Sequence, residues 1–497
     1  MKRSKHSLSY DKLFSCDMGE LVPIGLTEVL PGDTVQQATS MLVRASPQLA
    51  PVMHRVDVRI HHWFVPHRLV WDDWENFITG GPNGTNASVF PTITIGGGTG
   101  AAVGSLADYL GVPTGVNNIE VSALPFRAYA LIWNSWYRDQ DLETALTIDL
   151  TDGPDTTTNT TLKNCAWEKD YFTSARPWEQ KGPAVTIPLG TSAPVKGIGV
   201  TSGNNTGANS QSVIETGGGT VNYPAARFTD ANAAPRPMIN LSQANPGVPN
   251  IYADLSAVSG ISVNALREAL ALQRYEEARA RYGSRYIEYL RFLGVKSSDA
   301  RLQLPEYLGG GRQVIQFSEI MQTAEGTNPV GTLRGHGLAA MRSNRYRRFF
   351  EEHGYVMTLM SARPKTVYAN GLFRHWNRRT KEDFWQKELE HIGQQEVLNK
   401  EVYAAHASPN GVFGYQDRYD EYRRSESLIS GEFRTTLDFW HMARIFGSQP
   451  ALNGTFVSCA PTERIFAVPS VDNLWIMAKH SIQARRLISA KGNSFIY

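Results

Sequence analysis

The sequence predicts a mainly β protein, an antiparallel sandwich that carries helical and loop insertions. Three observations point there. Short extended runs cut by turn residues fill both ends of the chain. Two stretches between them carry helical periodicity. One long segment is too rich in Gly, Ser, Thr and Asn to bury a core of its own.

In chain order, the first ninety residues alternate β-branched and aliphatic residues with turns, as in ELVPIGLTEVLPGDT, where Pro31-Gly32-Asp33 closes a run. RVDVRIHH, residues 55–62, places Val56, Val58 and Ile60 on one side and Arg55, Asp57, Arg59 and His61 on the other, a half-buried strand. Beyond Pro66, Trp71, Trp74 and Ile78 recur at helical spacing, with Asp72, Asp73 and Glu75 on or near a solvated first turn. TITIGGGTGAAVGSLADYLGV, residues 92–112, reads as a turn before a short helix. Its glycines fit no GxGxxG frame, and no βαβ unit surrounds them.

LPFRAYALIWNSWYRDQDLETAL, residues 124–146, reads as a helix entered at Pro125, with Tyr129, Ile132, Trp133 and Trp136 along one face. The segment 195–250 is poor in charge and rich in small polar residues, so it is expected to be a surface excursion. A helical insertion over 262–294 follows, with Ser262 or Asn264 as its cap, an i,i+4 pair of Glu277 and Arg281, and an interruption at Gly283. From Gly309 onward β-like runs return, among them HGYVMTLMSARP and RIFAVPS.

The totals narrow the function. Among 497 residues, 49 Lys and Arg oppose 47 Asp and Glu, a net charge of +2, so any nucleic-acid contact must come from local clustering. Cys16, Cys165 and Cys459 are an odd number without CxxC spacing, which argues against a disulfide framework or a zinc knuckle. No apolar run approaches the ~18 residues of a membrane span. The first residues, MKRSKHSLSYDKLF, have no apolar stretch behind their charges, so no secretory signal is expected.

HHWFVPHRLVWDDWENFITGG, residues 61–81, looks at first like a metal or acid–base site. Neighbours in a strand point to opposite faces, so His61 and His62 cannot share an ion; His54 lies roughly 26 Å along the strand from His62, and His67 sits beyond Pro66, where the strand should have ended. The stretch reads as packing. No GxSxG, HExxH or spaced Cys/His set is present, and EYLGGGRQ lacks the GK[ST] of a phosphate-binding loop. The sequence offers no catalytic residues, no metal ligands and no cofactor.

Charge clustering says more. Ten Lys or Arg lie between Arg334 and Arg379, opposed only by Glu351 and Glu352, and aromatic residues interleave them. That composition suits phosphate and base contacts, and it equally suits subunit interfaces. Both ends are basic. Lys2, Arg3 and Lys5 at one end, with Arg485, Arg486 and Lys491 at the other, are the candidate nucleic-acid-binding residues; solvated tails are the bland alternative.

Several long phrases resemble a known family. LVPIGLTEVLPGDT, PVMHRVDVRIHHWFVPHRLVWDDWENF, SLADYLGVP, LPFRAYALIWNSWYRDQ, SDARLQLPEYLGGG, EHGYVMTLMSARP and VFGYQDRYDEYRR, in this order, are similar to the major capsid protein of the microviruses, small single-stranded DNA bacteriophages, on the gokushovirus side. The family usually has an acidic residue where His54 stands and aromatics where His61 and His62 stand, which argues against a family-wide ligand role.

The resemblance implies one capsid domain over residues 1–497, an eight-stranded antiparallel jelly roll with long insertions. Many copies would close a T=1 icosahedral shell around circular single-stranded DNA, assembled in a bacterial cytoplasm. It also implies partners: a small basic DNA-binding protein, a pilot protein, scaffolding protein and a host receptor, the last met by the 195–250 loop on the outer surface. The rival readings are a non-viral jelly-roll binding protein, a metal-dependent enzyme of the cupin type and a monomeric single-strand DNA-binding protein.

Overall fold

Side-chain alternation builds two large sheets. The computed structural model describes residues 3–185, 263–282, 285–323 and 329–489, and the backbone of short strands between 195 and 253. The strands are β1 (Ser4–Ser7), β2 (Tyr10–Cys16), β3 (Val22–Val29), β4 (Thr34–Ala45), β5 (Val56–Pro66), β6 (Thr92–Ile95) and β7 (Ile119–Ser122). Five short ones follow: β8 (Val195–Lys196), β9 (Ile198–Val200), β10 (Ser212–Glu215), β11 (Thr220–Asn222) and β12 (Tyr252–Ala253). The rest are β13 (Glu306–Val314), β14 (Gln316–Met321), β15 (Leu333–Arg342), β16 (Tyr346–Phe349), β17 (Gly354–Pro364), β18 (Gln394–Leu398), β19 (Val412–Asp417) and β20 (Leu474–Arg486). The α-helices are α1 (Trp74–Thr79), α2 (Leu106–Leu110), α3 (Leu124–Ile132), α4 (Val263–Tyr282), α5 (Tyr286–Phe292), α6 (Asn399–Val402) and α7 (Gly454–Val457).

The chain divides into two compact units, residues 1–179 with 279–497, and residues 180–278. The smaller unit holds the sheets β9–β10–β11 and β8–β12. The larger holds the two main sheets, whose strands pair antiparallel. One has the order β1-β20-β4-β15-β14, with β2 also on β20 and β16 also on β4; the other runs β13-β5-β17-β3. β1 and β2 form one broken track, since Ser4 faces Arg486 and Cys16 faces Leu474 along the same neighbour. β15 and β16 do the same along β4.

The two sheets share a core with a layered composition. At one end Val43, Met341, Ile476 and Ala478 of the first sheet meet Ile24, Val58, Ile60 and Met360 of the second. At the other end Val35, Ile482 and Ala484 meet Val29, Phe64 and Val356. Between them lies a belt of buried polar groups: Gln37, Thr39, His62, Ser343, Thr358 and His480. Burial of such groups is tolerable only when they are paired, and these are. His62 bonds Thr358 Oγ1 (2.9 Å) through Nδ1 and Ser343 Oγ (3.0 Å) through Nε2. His480 bonds Thr39 Oγ1 (2.9 Å) and the Ile24 carbonyl (3.0 Å).

The second sheet is covered on its other face too. Trp63, Val65, Met357 and Leu359 pack against Phe126, Tyr129, Ile132 and Trp133 of the segment around α3. Tyr129 Oη donates to the Leu21 carbonyl (2.9 Å), so this layer is bonded as well as packed. Arg127 is buried in it, donating from Nε to Asp155 Oδ2 (2.8 Å) and from its two terminal nitrogens to the carbonyls of Val70 and Thr151.

Three local expectations are corrected. α1 begins only at Trp74; Trp71 is buried ahead of it, its indole donating to Asp152 Oδ1 (2.7 Å), and Ile78 is exposed. The aromatic contacts of Trp71 with Phe77 and Phe90 fix the chain more strongly than the helical period does. α3 stops short of residue 146, continuing only through a wider π-type turn to Tyr137. There Asn134 bonds both the amide and the carbonyl of Leu146, folding the chain back. Finally, the described part of the basic C-terminal end is no solvated tail: residues 474–486 are the 13-residue strand β20, paired on both sides in its sheet.

Candidate nucleic-acid interface

The outer face of the first sheet has no covering layer among the described residues, and its composition can be read row by row across the strands. Leu13, Met477, Leu42 and Ala340 stand in lateral register, an apolar row in which Leu13 is 83 % exposed. The adjoining row holds Ser15, Trp475, Arg44 and Leu338. Further along come Asp11, Lys479, Ser40 and Arg342, then Gln483, Gln36 and Arg347, and finally Lys5, Arg485, Thr34 and Phe349. On these strands the outward cations are Lys5, Arg44, Arg334, Arg342, Arg347, Lys479 and Arg485, Arg334 being engaged by the Leu49 carbonyl (3.1 Å), and the outward acid is Asp11. Strand alternation puts every one of them on the same face.

The two basic ends of the chain therefore meet. Ser4 lies opposite Arg486 and Lys5 opposite Arg485. Arg3 reaches over the end of the sheet, donating to the Gly32 carbonyl (2.9 Å), with its guanidinium 5.4 Å from the Phe349 ring centroid. Arg486 is committed inward, its Nε 2.9 Å from the buried carboxylate of Asp33. Lys5 and Arg485 are exposed. Lys2 and Lys491 lie outside the described residues, as does most of the 195–250 segment. Sequence reading missed Arg44 as part of this face and grouped Arg342 and Arg347 with the Arg-aromatic stretch instead. The signal for Arg44 was its place in a strand whose other face is buried.

The Arg-aromatic stretch from 334 to 379 does not form one surface. Arg374 pairs with the buried Glu401 (3.0 Å), Arg348 with Glu306 (2.8 Å), and Arg378 lies 4.3 Å from the Tyr422 ring and 3.4 Å from Glu421. Of its cations, Arg342 and Arg347 join the outer rows described above, and Arg334 lies on the same face of β15 with its guanidinium donating to the Leu49 carbonyl (3.1 Å).

His61 and His62 point to opposite faces, as their strand requires. His61 Nδ1 lies 2.6 Å from Tyr137 Oη, on the α3 side, while His62 sits in the polar belt. His67 is wedged between the rings of Trp74 and Tyr355, and His54 bonds the Lys365 carbonyl at 2.7 Å. Burial pushes the pKa of His62 down to about 3, and those of His54, His61, His67 and His480 down to about 4. These are neutral packing groups. Among the described residues no group of three or more His, Cys, Asp or Glu side chains is placed to hold a metal ion. The three cysteines are buried as free thiols. Among the described residues no helix is long and apolar enough to cross a membrane.

The arrangement offers a basic, partly aromatic sheet face, suited to contacts with phosphates that do not read base sequence. Comparison with known proteins adds the following. Residues 1–495 match the model of a phage family described as capsid protein (F protein). The chain is 39 % identical over 488 residues to capsid protein VP1 of Bdellovibrio phage phiMH2K, covering 95 % of this chain and 90 % of that one. It is 33 % identical to capsid protein VP1 of Chlamydia phage 1, covering 94 % and 91 %, and 33 % identical to that of Spiroplasma virus 4, covering 95 % and 90 %.

Proposed function

The chain belongs to the phage capsid protein (F protein) family, and from that premise we propose how its fold builds a shell and holds a genome. It is a structural major capsid protein of a microvirus, a component of the virion. The match over residues 1–495 carries this conclusion; the cupin-type enzyme, non-viral binding-protein and monomeric DNA-binding readings have no comparable support.

The finer fold is an eight-stranded jelly roll. Numbering the tracks in chain order, β1 with β2 is the first, then β3, β4, β5, β13, β15 with β16, β17 and β20. The sheets then have the orders 1-8-3-6 and 5-4-7-2, with β14 as an added edge strand. Successive tracks cross between the sheets everywhere but from β5 to β13, the double Greek-key pattern of a capsid sandwich.

The assembly is a T=1 icosahedral shell around circular single-stranded DNA. The second sheet is covered by its own insertions on one side and the core on the other, so the bare basic face of the first sheet is the surface left for the genome. Lys5 and Arg485 are its phosphate contacts at the joined chain ends, with Arg3 at their edge. Arg486 supports them through Asp33, and Lys2 and Lys491 extend the same basic ends. Base sequence is not read, because the shell must accept the whole genome. The charge-poor 195–250 segment belongs on the outside, around a threefold axis, where it meets the host. Scaffolding protein, a pilot protein and a small basic DNA-binding protein complete the assembly. The protein has no enzymatic role.

Electron microscopy and DNA content of particles made by the Lys5→Gln, Arg485→Gln double variant test this. Particles should form and hold less DNA. The salt dependence of DNA retention should flatten, by roughly 0.7 in log–log slope per phosphate contact removed. Unchanged DNA content and salt slope would remove these residues from the genome contact; failure of the unaltered chain to form particles would overturn the capsid reading.

A further inference from the structure

A cavity of about 310 Å³ lies at the end of the second sheet, apart from the outer face of the first. Arg59 of β5 and Arg363 of β17 form one wall; Arg138, at the exit of the α3 segment, and Arg285, at the start of α5, form another. Lys169 and Arg176 also line it, and the lining acids are Asp139, Asp141 and Glu288.

The acids are already engaged. Asp139 lies within ion-pair distance of Lys169 and Arg176, Asp141 of Arg176, and Glu288 of Arg285. Arg59 reaches only Glu168, at 3.4 Å, a carboxylate shared with Arg312 and Lys365. Arg138 and Arg363 donate to backbone carbonyls, those of Glu143 (2.7 Å) and Ala166 (2.8 Å). With six cations and three acids, the lining carries a formal charge of 6 − 3 = +3.

The donors show the same surplus. The Nε–H groups of Arg59, Arg138, Arg285 and Arg363 are all buried, and none has a hydrogen-bond partner among the described residues. A guanidinium presents its donors in a planar fork that matches a tetrahedral oxyanion, and buried donors without acceptors are rare in folded proteins. Four guanidiniums from distant segments line one cavity whose acids are already engaged, and that surplus of positive charge favours an occupant with several oxygens and negative charge. Burial, then the neighbouring charges of Arg363 and Arg312, hold the Arg59 guanidinium below its ordinary pKa, a repulsion that an anion would relieve. Trp136 and Trp167 add flat apolar wall beside the cations, and the volume falls at the small end of ligand pockets.

We propose that this cavity is a binding site for a phosphate group, held by Arg59 and Arg363 with Arg138 and Arg285. The phosphate could belong to a nucleic-acid strand or to a free phosphate, and the two sources are separable by experiment. This inference is independent of the assignment of the first sheet's outer face to the genome.

The test is calorimetric titration of the full-length assembled protein with inorganic phosphate, at constant ionic strength set with chloride. A repeat with oligothymidylate, alone and in competition, follows. Saturable binding at one site per subunit is expected. The Arg59→Gln, Arg363→Gln double variant should weaken it at least tenfold, and the Arg59→Lys, Arg363→Lys variant, which keeps the charge, should weaken it less. Oligothymidylate displacing phosphate assigns the site to nucleic acid; phosphate binding that the oligonucleotide leaves untouched assigns it to a free anion. No saturable phosphate binding by the unaltered protein would overturn the proposal, as would equal affinity of the Gln double variant. Should the Gln variant fail to fold, a cryo-electron-microscopy map of unaltered particles equilibrated with tungstate decides: density between Arg59 and Arg363 supports the site, and its absence rejects it. Particle formation is scored separately, so particles that bind no phosphate reject only this site.

Discussion

Replacing His62 with Gln probes the polar belt through the pH dependence of stability. The imidazole is fully buried between the sheets, accepts or donates at both ring nitrogens, and has its pKa pushed down by burial from 6.5 to about 3. Below pH 6.5 the unfolded chain takes up a proton at this position and the folded chain does not. The stability associated with a neutral His62 is therefore complete above pH 6.5 and is lost progressively as pH falls toward 3. The slope of this loss is about 1.4 kcal/mol per pH unit. At pH 5, 1.5 units below the unfolded value, His62 alone should have cost roughly 2 kcal/mol. A Gln amide can still span Thr358 and Ser343, but it does not titrate. The variant should be less stable than the parent by about 1 kcal/mol at pH 7.5, from imperfect hydrogen bonds. At pH 5 that deficit should vanish or reverse, a relative gain of roughly 2 kcal/mol. Urea unfolding of the subunit at both pH values, followed by tryptophan fluorescence, measures this. Parallel pH profiles for the two proteins would refute the reasoning, because they would mean that His62 titrates alike in both states.

Two further outcomes follow from the packing. Arg127 and Asp155 are both 0 % exposed, so Arg127→Met should cost about 3–5 kcal/mol by leaving a buried carboxylate uncompensated. The loss belongs near the lower end, because Asp155 also accepts from the amides of Thr157 and Thr158 and the Thr158 hydroxyl. Removing both charges in an Arg127→Met, Asp155→Asn variant, whose amide oxygen can still accept from Thr157 and Thr158, should recover part of it, and additive losses in urea unfolding would contradict the account. Leu13→Asp, at an 83 % exposed position on the face assigned to the genome, should change subunit stability by less than ~0.5 kcal/mol yet lower the DNA content of particles, because it sets a negative charge against the phosphates. Unchanged DNA content and salt dependence would remove the Leu13–Met477–Leu42 row from the genome-facing surface.

The sequence by itself determined the elements whose two sides differ in polarity. β5 was legible because Val56, Val58 and Ile60 alternate with charged residues, and α3 because its aromatics recur at helical spacing. The opposite facing of His61 and His62 followed from the strand alone. The long phrases shared with microvirus capsid proteins were legible as a family. Tertiary structure decided the rest. β20 was hidden because Trp475 and Met477 point outward while Ile476 and Ala478 point inward, so neither face stands out as polar. The basic ends looked like two separate features; antiparallel pairing along β20 joined Lys5 to Arg485 across the whole length of the chain. The arginine cavity could not be read from sequence, since Arg59, Arg138, Arg285 and Arg363 come from four distant segments. Their want of acceptors is a property of the folded surroundings. Local pattern encodes which way a side chain faces, whereas what it meets there depends on residues that only folding brings near.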